Sequence, residues 1–201
     1  MAIKAVLFDY GGVLTAAGKH GSMFEIITEI YGIDIGRENL DDLHDQLRRS
    51  QISTQTFFEE LAKRHQSPKQ LSTELWEEVS HDVFERSEPV YEFAQKLRET
   101  GVKTGILSNV YQMTADKLRA MSNYDGFDPV ILSSEVKMAK PDREIFQLAV
   151  DRLGVKGDEI IFVDDQEKSM PVAQSFGIHT VLATSPEQII REVKTIIKDE
   201  K

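Results

Sequence analysis

The sequence predicts an α/β protein: a Rossmann-like parallel sheet core with an inserted helical cap. Three observations predict it. Outside one long stretch, short β-branched runs alternate with helical patterns. The runs end at polar or glycine residues, as strands do where they feed loops. Residues from about 16 to 87 break the alternation and carry apolar residues at helical spacing alone.

In order along the chain, Ala2 to Phe8 is short, apolar and β-branched, ends at Asp9 and runs into Gly11-Gly12. It reads as a buried strand followed by a sharp turn. Ser22 to Glu25 has the capping-box form and precedes Ile26, Ile27, Ile30 and Tyr31. Leu40, Leu43 and Leu47 continue the helical spacing, then Phe57, Phe58 and Leu61, then Leu71, Leu75, Trp76 and Val79. That makes an insertion of roughly four helices, with Gly18 and Gly21 suited to a hinge. Its acidic excess reads as a solvated outer face.

Beyond it, Pro89 opens a helix bearing Val90, Phe93, Ala94 and Leu97, which Gly101 stops. Strands follow at Val102–Leu107, Val130–Leu132, Ile160–Val163 and His179–Leu182. Helices are expected from Pro141 to Leu153, stopped by Gly154, and from Ser169 to Phe176, stopped by Gly177. A last one is capped by Ser185-Pro186 and carries Ile189, Ile190, Val193 and Ile197. Residues 1–15 and 88–201 are therefore expected to form the α/β core, and 16–87 the cap.

The chain has 201 residues, 40% hydrophobic and 29% charged, with a formal net charge of −10. That acidity disfavours non-specific binding to nucleic acid or an anionic membrane. With no cysteine, disulfides, thiolate metal sites and cysteine nucleophiles are excluded. The start, MAIKAVLFDYGG, has too short an apolar run to read as a signal peptide, and no window is long enough to span a membrane. The expectation is a cytoplasmic protein, monomer or homodimer, acting on something small.

In an open α/β sheet, ligands bind beyond the carboxyl ends of the strands. Polar residues that end separate strands thus become candidates for one site: Asp9, Ser108-Asn109, Asp164-Asp165, and Lys140-Pro141 at a helix start. Each alone is an ordinary turn or cap. In their order and spacing, the stretches LFDYGGVL, GILSN, SSEVKMAKPDREIF and IIFVDDQEKSMPVAQSFGI resemble the four motifs of the haloacid dehalogenase (HAD) superfamily, whose members are mostly phosphatases. The helical insertion lies where many members carry a four-helix cap.

The resemblance implies that Asp9 is the nucleophile toward phosphorus and forms an aspartyl-phosphate. It implies that Lys140 supplies a fixed positive charge, and that the Ser108 hydroxyl and the Asn109 backbone N–H donate to phosphoryl oxygens. It further implies Mg²⁺ held by Asp9, Asp165 and the Gly11 carbonyl, with Asp164 either a ligand or an acceptor orienting Lys140. The expected substrate is a small phosphorylated metabolite.

Two departures qualify the resemblance. Most family phosphatases carry a second Asp two places after the first, as general acid and base, and here Gly11 stands there. Ser169 stands four residues after Asp165, where relatives often have Asp or Asn. The glycine-rich form is similar to a subgroup that includes the phosphatase domain of soluble epoxide hydrolases. His20 is the one candidate substitute acid; Thr15 is too weakly acidic, and strand alternation turns Tyr10 away from Asp9. His44, His65, His81 and His179 show no metal-ligand spacing. Three alternatives stay open: a 2-haloacid dehalogenase-like enzyme, a phosphonate hydrolase using Lys19, Lys63 or Lys69, and a catalytically weakened phosphate-ester-binding regulator.

Overall fold

Four residues, Ala5–Phe8, form the central strand β1, and all four are buried. An uninterrupted apolar strand is what a sheet covered on both faces requires. The computed structural model describes residues 2–15, 41–64 and 85–200. In them, β1 is joined by β2 (Lys103–Ser108), β3 (Val130–Leu132), β4 (Ile160–Asp164) and β5 (His179–Leu182). All pairings are parallel, in the order β3-β2-β1-β4-β5. The five strands expected from the sequence are these five.

The described helices are α1 (Asp41–Arg48), α2 (Thr54–Arg64), α3 (Glu88–Glu99), α4 (Gln112–Ala120), the short α5 (Ser133–Val136), α6 (Arg143–Leu153), α7 (Met170–Gln174) and α8 (Pro186–Asp199). Successive strand residues face opposite ways and feed two apolar clusters. Val6, Phe8, Ile106, Ile161 and Val163 pack with Val90, Phe93, Ala94 and Leu97 of α3 and Ile189 and Val193 of α8. On the other face Ala5, Leu7, Leu107, Ile131 and Phe162 pack with Ile145, Phe146, Ala149 and Leu153 of α6. The helix spacings read from the sequence are therefore the spacings that meet the sheet.

Three helices differ from expectation, the four-residue α5 among them, which no sequence signal marked. The helix expected over Ser169–Phe176 is a single 3₁₀ turn, Glu167–Ser169, followed by α7. Pro171 suits the first turn of a new α-helix, where its missing N–H leaves no bond unmade. α4 carries only Thr114, Ala115 and Leu118 as buried residues, a face too small to stand out in the sequence.

α1 and α2 fall within the expected insertion, and Leu43, Leu47, Phe57, Phe58 and Leu61 are buried. The helical patterns around Ser22 and Leu71, His20 and the Gly18–Gly21 turn lie outside the described residues. The chain leaves β1 and returns to α3 through adjacent points. Leu14 O accepts the Ser87 N–H at 2.9 Å, and Thr15 forms an antiparallel bridge with Arg86. Arg86 in turn donates to Asn123 Oδ1 at 2.9 Å and Ser122 O at 2.6 Å, with its guanidinium over the Tyr91 ring.

Sheet order fixes where a ligand would sit. From β1 the chain builds β2 and β3 on one side, then crosses to build β4 and β5 on the other. The crevice at that switch lies between the carboxyl ends of β1 and β4.

Candidate active site

Asp9 is the first residue past β1, and its N–H donates to Val163 O at 2.8 Å. Because Phe8 pairs with Val163, Asp9 comes to lie beside Asp164, the last residue of β4. Ser108 ends β2, on the other flank of β1, where its hydroxyl favours the charged form of Asp9. Lys140 arrives from the turn before α6. Its Nζ lies 3.0 Å from Asp9 Oδ1 and 2.7 Å from Asp164 Oδ2. The structure thus gathers Asp9, Ser108, Asn109, Lys140, Asp164 and Asp165 at one end of the sheet.

Lys140 is held there by its backbone. Asn109 Nδ2 donates to Lys140 O at 2.8 Å, and Asn109 Oδ1 accepts the Lys140 N–H at 2.8 Å. Sequence reasoning gave Asn109 only its backbone N–H; that its amide grips Lys140 across 31 residues is new. Next to it, the Val110 N–H donates to Ser133 Oγ at 3.0 Å, tying the end of β2 to the end of β3. The Lys140–Pro141 peptide is cis.

The charges are tightly balanced. Burial pushes the Asp9 carboxyl up to about 6, against the pull of the Lys140 ammonium, while the Asp164 carboxylate adds to the rise. Burial works against the charge on Lys140, but Asp9 and Asp164 together outweigh it and hold its pKa above the usual lysine range. Burial also raises Asp165, helped by its neighbour Asp164. Lys140 is 2% exposed, so a single sequestered cation serves two carboxylates and a third lies alongside.

Asp9, Asp164 and Asp165 each offer an oxygen within 4.8 Å of the others, the sole such group of three or more potential ligands among the described residues. Hard carboxylate oxygens, with Asp165 exposed beside the buried Asp9 and Asp164, are donors that suit Mg²⁺. The two Asp164 oxygens already have partners: Oδ2 takes Lys140 Nζ, and Oδ1 accepts the Gln166 N–H at 2.7 Å. Ser169 is fully buried, and its Oγ has no hydrogen-bond partner among the described residues.

After Asp9 the chain makes an irregular turn over Tyr10–Leu14, closed by the Thr15 N–H on Tyr10 O at 3.1 Å and by the Gly12 N–H on Thr15 Oγ1 at 2.9 Å. Asp9 Oδ1 accepts the Tyr10 N–H at 2.7 Å, which orients the carboxylate. Tyr10 itself turns into the core, its hydroxyl accepting from Asn123 Nδ2 at 2.6 Å and its ring edge-on to Tyr124. Gly11 has φ −64° and ψ 135°, ordinary extended backbone, and a β-carbon there would meet nothing within 4 Å among the described residues. Gly12 is different: its φ is +69°, and its α-carbon passes close to Asp165. The sequence marked this glycine only as part of a turn.

His44 stacks on Tyr111 and approaches the Phe57 ring, and His179 lies on β5 beside Asp158 O. His65 and His81 lie outside the described residues. Of the three lysines named for phosphonate chemistry, Lys63 is exposed beside Glu60, and Lys19 and Lys69 lie outside the described residues.

A parallel sheet with a lysine clamped between carboxylates at its switch point is an α/β architecture with a charged ligand site. The chain belongs to the haloacid dehalogenase-like hydrolase family, which it matches over residues 3–177. It is 29% identical over 189 residues to pyrophosphatase PpaX of Bacillus mycoides, covering 90% of this chain and 83% of that protein. It is 27% identical over 203 residues to acyl-CoA dehydrogenase family member 10 of Mus musculus, covering 96% of this chain but only 19% of that much longer protein. A HAD-family enzyme of Bacteroides thetaiotaomicron, solved with magnesium and inorganic phosphate, superposes with a TM-score of 0.75. Its sequence identity is 26%, over 92% of this chain and 96% of that one. Among the described residues, no helix is long and apolar enough to cross a membrane.

Proposed function

We propose that this hydrolase is a Mg²⁺-dependent phosphatase of small phosphorylated metabolites, acting in the cytoplasm through an aspartyl-phosphate on Asp9. One observation carries the reading: Asp9 is buried and oriented, with Lys140 at 3.0 Å and two further carboxylates, Asp164 and Asp165, beside it. The likeness to a pyrophosphatase and to an enzyme that holds magnesium with phosphate supports it.

In this reading an Asp9 oxygen attacks phosphorus, and the bond to the leaving oxygen breaks, its electron pair departing with that oxygen. Water then hydrolyses the acyl phosphate and returns Asp9 to its carboxylate. Lys140, the Ser108 hydroxyl and the Asn109 backbone N–H stabilise the charge on the phosphoryl oxygens. Mg²⁺, when bound, screens the repulsion between carboxylate and phosphate. Asp9, Asp165 and the Gly11 carbonyl would hold it, with Asp164 orienting Lys140.

Gly11 has no side chain to move a proton, and a positioned acid or base is typically worth about 10² to 10⁴ in rate. The enzyme is therefore read as slow, and biased toward aryl, acyl and anhydride phosphates whose leaving oxygens are stable without a proton. In the same reading residues 1–15 and 88–201 form the core and 16–87 a helical cap. The adjacent crossings at Leu14–Ser87 and Thr15–Arg86 support that division.

The test is hydrolysis of an aryl phosphate with Mg²⁺, with a chelator, and by Asp9→Asn. Turnover that both controls abolish supports the reading; turnover indifferent to chelation sinks it. Halide release from 2-haloacids without metal would move the chain to dehalogenase chemistry.

A further inference from the structure

We infer that Arg49 is a positioning residue for Lys140: it fastens helix α1 to the turn that carries the lysine, and so holds the ammonium in register with Asp9. The inference rests on the reading of Asp9 and Lys140 as phosphoryl-transfer groups. Asp142 lies in the stretch SSEVKMAKPDREIF, while Arg49 lies outside all four motif stretches.

The contact is a two-pronged one. Arg49, just past α1, donates from Nη1 to Asp142 Oδ2 and from Nη2 to Asp142 Oδ1 at 3.1 Å, while its Nε donates to Asp45 Oδ2 at 3.0 Å. A planar guanidinium gripping a carboxylate with two parallel bonds fixes direction as well as distance. Asp142 precedes α6, where an Asp commonly caps the helix by accepting from its first N–H groups. Here its side chain makes no such cap bond and faces Arg49 instead.

Lys140 lies two residues before this anchor. The Asp142 N–H donates to Ala139 O at 2.8 Å, closing a turn around the lysine. On the other side, the Asn109 amide holds both the N–H and the carbonyl of Lys140. α1 grips that partner loop too: His44 Nδ1 pairs with Tyr111 Oη at 2.8 Å, and Tyr111 follows Asn109 by two residues. Helix α1 therefore seizes the Asn109 loop at one end and the Lys140 loop at the other, and the two loops seize each other. The ring closes on a lysine whose distances to Asp9 and Asp164 are 3.0 and 2.7 Å. A displacement of about 1 Å at such a site can cost on the order of 10² in rate.

The test is a double-mutant cycle of Arg49→Gln and Asp142→Asn, with aryl phosphate turnover in Mg²⁺ and hydrogen exchange at the backbone of residues 139–142 as readouts. Each single change is expected to lower kcat about tenfold with KM within about twofold, and the pair to lower it no further, because one contact is removed twice. Exchange at 139–142 should quicken in all three variants while β4 stays protected. Additive losses in kcat, a change confined to KM, or unaltered exchange at 139–142 overturns the inference. A wild-type protein inert toward aryl phosphates would defeat the phosphatase reading instead, and the exchange measurement would still decide whether Arg49 holds the lysine turn.

Discussion

Gly12 and Asp165 stand so close that a β-carbon at position 12 would lie 2.5 Å from Asp165 Oδ2. The positive φ of Gly12 excludes most side chains on backbone grounds as well. Gly12→Ala should therefore push Asp165 off its place beside Asp9 and Asp164. The expected outcome is Mg²⁺ affinity weakened about tenfold or more and stability lowered by about 1–2 kcal/mol. Calorimetric titration and thermal unfolding read both. Unchanged Mg²⁺ affinity would show that Asp165 is not a ligand.

Gly11 behaves in the opposite way. Its backbone suits any residue, and the space beside it is open among the described residues. Gly11→Asp should fold normally and supply the proton donor that the turn lacks. Hydrolysis of simple alkyl phosphates should rise by about 10² or more, and that of aryl phosphates much less. Comparing kcat/KM on the two substrates before and after the substitution tests it. Equal rates in the unaltered protein would show that another group already delivers the proton.

Lys140→Met keeps the stem but removes the cation that pairs with two buried carboxylates, Asp9 and Asp164. Breaking such a cluster from one side typically costs about 3–5 kcal/mol. The loss should be largest at neutral pH without metal, and smaller near pH 5, where Asp9 is protonated. Urea unfolding at both pH values reads the difference, and phosphatase turnover should vanish. A variant as stable as the parent at pH 7 would contradict the charge balance described above.

Asp9 also sets a pH dependence. Its carboxyl is raised by burial from 3.8 to about 6, so the folded state holds this proton more tightly than the unfolded chain. Its contribution to stability is full below about pH 4 and is lost as pH rises through 6. Metal-free protein should thus lose stability relative to Asp9→Asn between pH 4 and 7, by thermal unfolding. Protons should also compete with Mg²⁺, leaving affinity about tenfold weaker at pH 5 than at pH 7.5. Flat behaviour in both measurements would mean that Asp9 titrates where an exposed Asp does.

The strands and most of the core helices could be read from the sequence because their signals are local. Ala5–Phe8 is apolar throughout, and α6 shows its sheet-facing residues at regular spacing. Asp9, Lys140 and Asp164 were readable for a related reason: each ends a strand or opens a helix, and parallel order brings those points together. α4 escaped because its buried face is small and mostly weakly apolar. The Asn109 amide clamp escaped because an Asn after a strand already has an ordinary explanation in the turn. The Arg49–Asp142 pair joins residues 93 apart, and although Asp142 sits at a readable helix start, no local pattern marks Arg49 or the pairing. Tyr10 was expected to turn from Asp9, but not to meet Asn123, 113 residues on.

The bridge between Thr15 and Arg86 brings the two ends of the intervening chain together. Since its two ends already touch, exchanging everything between them for a different segment should demand little extra closure entropy and leave the five strands undisturbed. The carboxylates and lysine would stay put through such an exchange. Any newcomer would, however, have to bring its own substitute for the grip that α1 exerts on the two loops beneath it.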